Sequence, residues 1–419
     1  MNVLVKSAKI IQPNSELHNS INDILIENGI IKKIAKKIQN SDQYKIVEFP
    51  NLHISIGWFD GSVSFGEPGY EERETLENGL KVAAQSGFTG IALNPNTNPI
   101  VDNKSIIEFL INKSKKTATQ LYPIGSLTKN FEGKELTELF DLKNSGAIAF
   151  GDYKKSISNA NLLKIALQYS QSFDGIVISY PQNKDIAGTG IVNESVNSLK
   201  LGIRGIPNFA EELQITRDLA ILEYAGGKLH IPTISTENSV NLIRKAKSKG
   251  LNISCSVAAH HLFLNDNELI SFDTNYKLLP PLRTFTDQKA LLKGIKDGTI
   301  DFITSDHCPI DIEHKKIEFQ TAKYGTIGLE SFFGAINSIL KLDEFIENIT
   351  TKPRLVFDIN IPKIALNEIA EITLFNPDEN YIFEHKHLLS TSKNSAFLEK
   401  TLKGKVYGIF AKNKLILNN

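Results

Sequence analysis

Cysteine, methionine and tryptophan are nearly missing from this chain, which carries two, one and one of them in 419 residues. Two thiols, Cys255 and Cys308, cannot build a disulfide framework, and there is no Cys-x-x-Cys pair to hold zinc. An excess of charge is also missing: Lys plus Arg and Asp plus Glu both number 47, so no polyanionic partner is implied and nucleic acid is not expected. No stretch approaches the roughly 18 apolar residues that cross a bilayer, so no membrane partner is expected. The N-terminal "MNVLVKSAKIIQPNSE" breaks its short apolar run with lysines and shows no cleavage pattern. A reduced cytoplasm is therefore the expected compartment. The remaining composition, 41% hydrophobic and 22% charged, is ordinary for a globular protein, and the length suggests a large domain with a smaller one.

From about residue 52, short apolar runs alternate with longer amphipathic ones, as in βαβ units. The runs "GWFDGSV", "TGIALNP", "QLYPIGSL", "AIAFGD", "GIVISYP", "KLHIPTIS", "NISCSVAA" and "IDFITSD" read as eight strands. Stretches such as "RETLENGLKVAAQSG" and "TENSVNLIRKAKSKG" carry apolar residues at helical spacing. Gly79, Gly87, Gly226, Gly227, Gly250 and Gly298 fall where helices should start or stop. The fold class expected is α/β, a (β/α)8 TIM barrel over residues 52–365. Residues 1–51 and 366–419 read instead as strands and turns, with a hairpin turn at Asn28-Gly29, and should form one small β-sandwich domain from both termini.

Barrel enzymes place their reactive groups at the C-terminal strand ends. Those ends carry Asp60, Asp152 and Asp306 as carboxylates, and His260, His261 and His307 as imidazoles. Adjacent His260 and His261, if on a strand, point in opposite directions, so one at most faces the barrel mouth. A mononuclear metal site on Asp152, Asp306 and one histidine is one reading. The plainer reading makes Asp60 a backbone cap, His230 structural, the other histidines packed or hydrogen-bonded, and Cys308 a buried thiol.

Several motifs, in order, resemble dihydroorotase of the amidohydrolase superfamily, close to the bacterial class I enzymes. They are "EPGYEERETLENGLKVAAQSGFT", "NPNTNP", "TGIVNE", "LGIRGIPNFAEE", "AAHHLFL", "PPLR", "KDGTIDFITSDHCP", "GTIGLES" and "SKNSAF" with "LKGKVYG". The resemblance implies a binuclear zinc site made by four imidazoles and two aspartates. Carried onto this chain, the His-x-His pair falls on Ser62 and Ser64, the strand-five histidine on Tyr180, and the strand-six histidine on Thr233. The bridging carboxylate falls on Asp152, and the second aspartate, the general base, on Asp306. Of the family's substrate clamp only Asn96 is kept; the other positions are Gly66, Leu279 and Ile310.

A bound zinc lowers the pKa of water from 15.7 to about 7, which is on the order of 12 kcal/mol. A general base alone supplies roughly 3–5 kcal/mol. The chain is therefore expected to be a dihydroorotase-like protein of pyrimidine biosynthesis that has lost its reaction, with Asp306 idle and no cofactor. It would act as a homodimer and as a non-catalytic partner or scaffold, of aspartate transcarbamoylase by the family's precedent. Two alternatives stay open. One is an active cyclic-amide hydrolase, of dihydroorotase, hydantoinase or allantoinase type, with a rebuilt mononuclear zinc site. The other is a ligand sensor lined by Ser62, Ser64, Asn96, Tyr180 and Thr233.

Overall fold

Eight short parallel strands follow one another from Trp58 to Thr304 in the structure, a computed structural model that describes residues 1–418. They are β1 (Trp58–Val63), β2 (Phe88–Leu93), β3 (Gln120–Pro123), β4 (Phe150–Gly151), β5 (Ile176–Ile178), β6 (Lys228–Ile231), β7 (Ile253–Ala258) and β8 (Phe302–Thr304). β1 to β3 pair in order, as do β4 to β8. Single parallel bridges join the two arcs, Gly125 to Phe150 and Val63 to His307, so the strands run round a full ring. The ring is completed at the first strand by the Ser64 amide donating to the His307 carbonyl at 2.7 Å.

Helices cover the outside, and their starts are written in the sequence. Thr75, Asn103, Asn159, Thr236 and Thr284 each accept backbone amides from the first turn of the helix they precede. Gly87, Gly226, Gly250 and Gly298 lie just beyond helices, at positive φ. Gly79 differs from expectation, because it lies inside the helix Leu76–Gln85, where the Phe65 ring fills the space a Cβ would need.

Inside the ring, Phe59, Ala92, Ile124, Ile176 and Phe302 pack with Phe357, which follows the helix Thr351–Val356. Gly61 is required there, since a side chain would run into the Phe302 ring. Both termini build one eight-stranded sheet, in which Asn2–Ile11 and Ile372–Ile382 flank His53–Ile56. The strand Ile372–Ile382 is irregular between Asn376 and Asn380. Arg354 ties barrel to sheet: it is buried and donates to the Gly57 and Thr350 carbonyls, Thr89 Oγ1 and Glu371 Oε1.

Candidate functional site at the barrel mouth

β1 leaves the ring through Ser62 and Ser64, and β8 delivers Asp306 opposite them. Ser62 Oγ donates to Asp306 Oδ1 at 3.3 Å. Asn94, just past β2, donates to Ser62 Oγ and Ser64 Oγ at 3.1 and 3.2 Å, and Ser64 Oγ donates to Asn96 Oδ1 at 3.0 Å. The two serines and the kept Asn96 are therefore engaged with one another. Asp60 lies beneath them and accepts from the Ser62 and Ser305 amides and from Thr304 Oγ1, which joins β1 to β8. Burial still pushes its carboxyl up to about 6.

The centre is held by two residues that sequence reasoning passed over, Tyr153 and Lys154. Asp152 borders the cavity, but its Oδ1 accepts from Ser126 Oγ at 3.1 Å and the Thr128 amide at 2.9 Å, and its Oδ2 accepts from Thr128 Oγ1. Both oxygens are thus occupied by the loop after β3. The next side chain, Tyr153, is half-buried with its hydroxyl enclosed near Asp306, Cys308 and Ser64, and that hydroxyl finds no hydrogen-bond partner among the described residues. Lys154 then turns inward and places Nζ 2.9 Å from Asp306 Oδ2 and 5.2 Å from the centre of the Tyr153 ring. Burial raises the Asp306 carboxyl above its ordinary range, while Lys154 and Ser62 pull it down. "GDYKK" was the available signal, two cations directly after a strand-end acid.

β5 and β6 supply the far wall. Tyr180 borders the cavity, whereas its neighbour Ser179 turns away to donate to Asp218 at 2.6 Å. The Tyr180 hydroxyl has one long contact, 3.5 Å to Gln182, and burial pushes its pKa well up. Thr233 donates its amide to Ser256 Oγ at 3.1 Å. Thr233, Asp306 and Lys154 all have left-handed backbones, with φ of +46°, +48° and +52°. Such angles are a strain for side chains other than glycine, most of all for a β-branched one.

His230, His260, His261 and His307 are enclosed, and burial lowers the pKa of each. His230 lies between Ser254 Oγ and Ser256 Oγ and stacks on Phe302, and burial drives its pKa down to about 3. His260 and His261 belong to the short helix Ala259–Phe263, because the chain leaves the strand at Ala258, so the opposed orientation expected of a strand pair does not apply. His261 Nε2 bonds the Pro280 and Pro281 carbonyls, while neither His260 nitrogen has a partner among the described residues. His307 Nδ1 accepts the Gly328 amide at 3.1 Å. Arg283 of "PPLR" is buried in a network with Asn193, Ile206 and Ser235. Gly66 has no room for the clamp's side chain, because the Tyr70 carbonyl occupies the place of its Cβ. Ile310 is buried, and Leu279 packs beside Ala187, Ile206 and Ala210.

Between these walls lies about 30 Å³ of space for the centres of water-sized molecules. That admits about two or three waters. Zinc of the family kind does not fit this donor set. Its positions offer Ser62, Ser64, Tyr180 and Thr233 hydroxyls, which are poor zinc ligands, and two carboxylates, Asp306 already joined to an ammonium and Asp152 already taken up by Ser126 and Thr128. Among the described residues no three of His, Cys, Asp or Glu gather in a way that could hold a metal.

Comparison with known proteins agrees with this layout. The family model described as "Dihydro-orotase-like" matches residues 53–239. A protein called dihydroorotase from Acetivibrio thermocellus is 37% identical over 97% of this chain and 96% of its own. One so named from Trichlorobacter lovleyi is 34% identical over 96% of each. The chain belongs to the dihydroorotase family. Its fold is also that of L-hydantoinase from Arthrobacter aurescens, with a TM-score of 0.84 at 19% identity over 99% of this chain and 96% of that one. A D-hydantoinase gives 0.82 at 18% identity over 100% and 95%. The amidohydrolase architecture, barrel plus terminal β domain, is thus shared throughout. No helix among the described residues is long and apolar enough to cross a membrane.

Proposed function

We propose that this member of the dihydroorotase family serves pyrimidine biosynthesis without catalysing the ring reaction, as a non-catalytic partner or scaffold for aspartate transcarbamoylase, its own copies associating as a dimer. The observation that carries the reading is the filled mouth: Lys154 stands on Asp306, and Tyr153 and Tyr180 close over the space around it. Ring opening needs an activated water and a polarised carbonyl beside it. Asp306 is the one acid left to act as base, and its oxygens already accept from Lys154 and Ser62. A cyclic amide also has little room beside Asp306, where Tyr153, Lys154 and Tyr180 line the space.

Exposed apolar residues are consistent with a partner role. On the short helix Val196–Leu201, Val196 and Leu199 are 65% and 80% exposed. The test is metal content of protein purified without chelators, dihydroorotate hydrolysis with and without added zinc, and co-purification with aspartate transcarbamoylase. Little metal, no turnover and a stable complex are expected. Turnover with one or two bound metals would refute the inactive reading, and failure to associate would refute the partnership.

A further inference from the structure

We infer that the Lys154 ammonium is a built-in counter-ion that takes the place of the family's metal charge beside Asp306, so that the barrel mouth is held together by a side chain and is independent of metal. The inference rests on the non-catalytic reading above, but a different measurement tests it.

Asp306 is 2% exposed, and a buried carboxylate is costly unless it is paired and hydrogen-bonded. Its partners are Lys154 on Oδ2 and Ser62 on Oδ1. Among the described residues no other cation comes within 4.0 Å of it. Arg283 is taken up by Asn193, Ile206 and Ser235, and the two other buried lysines, Lys277 and Lys315, donate to backbone carbonyls elsewhere. The chain accepts a left-handed backbone at Lys154, a conformation that long side chains avoid, and in it the ammonium returns into the ring. Asp306 has the same unusual backbone, so both partners are presented at some cost. The pair also bridges the end of β4 to the end of β8 across the mouth, two strands that do not pair with each other.

A metal on Asp306 Oδ2 and this ammonium in its present place oppose each other. A zinc–oxygen bond is about 2.1 Å, and Nζ stands 2.9 Å from the same oxygen, so the two cations would be no more than about 5 Å apart.

The experiment is thermal unfolding of the full chain, with EDTA or with zinc chloride, for the wild type, Lys154→Met, Lys154→Arg, Asp306→Asn and the Lys154→Met/Asp306→Asn double variant. The wild-type midpoint should move by less than about 1 °C with either additive. Lys154→Met, which strands a buried carboxylate, should lower it by roughly 3–6 °C. Lys154→Arg should remain near the wild type, and the double variant should recover at least half of the Lys154→Met loss. Should Lys154→Met not fold, a folded double variant supports the inference and an unfolded one overturns it. Additive losses, an unaffected Lys154→Met, or a wild-type midpoint raised by zinc would also overturn it. Turnover of dihydroorotate by the wild type would refute the proposed function while leaving this coupling measurable.

Discussion

Returning the four imidazoles should not by itself return a tight zinc site. The perturbation is Ser62→His, Ser64→His, Tyr180→His and Thr233→His together, with Lys154 either kept or changed to glycine, which the +52° backbone accepts without strain. With zinc on Asp306 Oδ2 the Lys154 ammonium lies within about 5 Å, and at an effective dielectric of 20 the repulsion is about 7 kcal/mol. Swinging the ammonium toward water costs less but breaks its pair with Asp306. The smaller cost governs, so removing the side chain should tighten zinc binding by between tenfold and several thousandfold. The assay is competition for zinc against a chromophoric chelator, run on the four-histidine protein with Lys154 and with Lys154→Gly. Affinities within threefold of each other would refute the electrostatic argument, and hydrolysis by the Lys154-containing form would refute the claim that the mouth is blocked.

Tyr180→Phe should be almost neutral, within about 0.5 kcal/mol, because its hydroxyl makes only a 3.5 Å contact, whereas Tyr180→Ala should cost about 3–5 kcal/mol in urea unfolding. Equal losses would mean that the hydroxyl rather than the ring fills the mouth. His230 is held neutral with a pKa of about 3 against 6.5 when unfolded, so the stability tied to it is present above pH 6.5 and is lost as pH falls toward 3. His230→Gln should therefore flatten the pH dependence between pH 6 and 4 by about 1.4 kcal/mol per pH unit, and parallel curves for the two proteins would refute the assignment. Thr233→Gly should change stability by no more than about 1 kcal/mol, since relief of left-handed strain, about 1–3 kcal/mol, offsets lost packing and glycine's entropy. Thr304→Gly, in a regular strand and bonded to Asp60, should cost over about 2 kcal/mol by the same unfolding assay, and an equal cost at both sites would remove the strain argument.

The barrel was legible because its strands and helices differ in period, and the order of motifs pointed to the family. The site was legible only where the alternation is regular. Ser62 and Ser64, two apart on β1, share a neighbour in Asn94, as their spacing requires. Past Gly151, β4 gives way to a turn, and which of Asp152, Tyr153 and Lys154 faces inward depends on the backbone there. Asp152 is drawn to the amide and hydroxyl of Thr128, distant in sequence, and Lys154 takes a left-handed angle that no local pattern announces. His260 and His261 read as strand residues for a similar reason, because "NISCSVAAHH" shows no break at the residue where the helix begins. For Asp152 and Lys154 a partner far along the chain meets a side chain whose type is plain from the start.

The positions of strain show how a chain of this kind can lose its chemistry and keep its fold. Left-handed, non-glycine backbones at Lys154, Thr233 and Asp306 all lie at the mouth, just past β4, β6 and β8. Each costs on the order of 1–3 kcal/mol and persists only if the surroundings impose it. Those surroundings lie lower in the barrel, where Phe59, Phe302 and Phe357 fill the ring and Arg354 locks it to the terminal sheet. A barrel separates the layer that holds it together from the layer that reacts. Ligands at the strand ends can therefore become hydroxyls without loss of the core, provided the charge left on Asp306 is met. Lys154 meets it, with Nζ 2.9 Å from Oδ2.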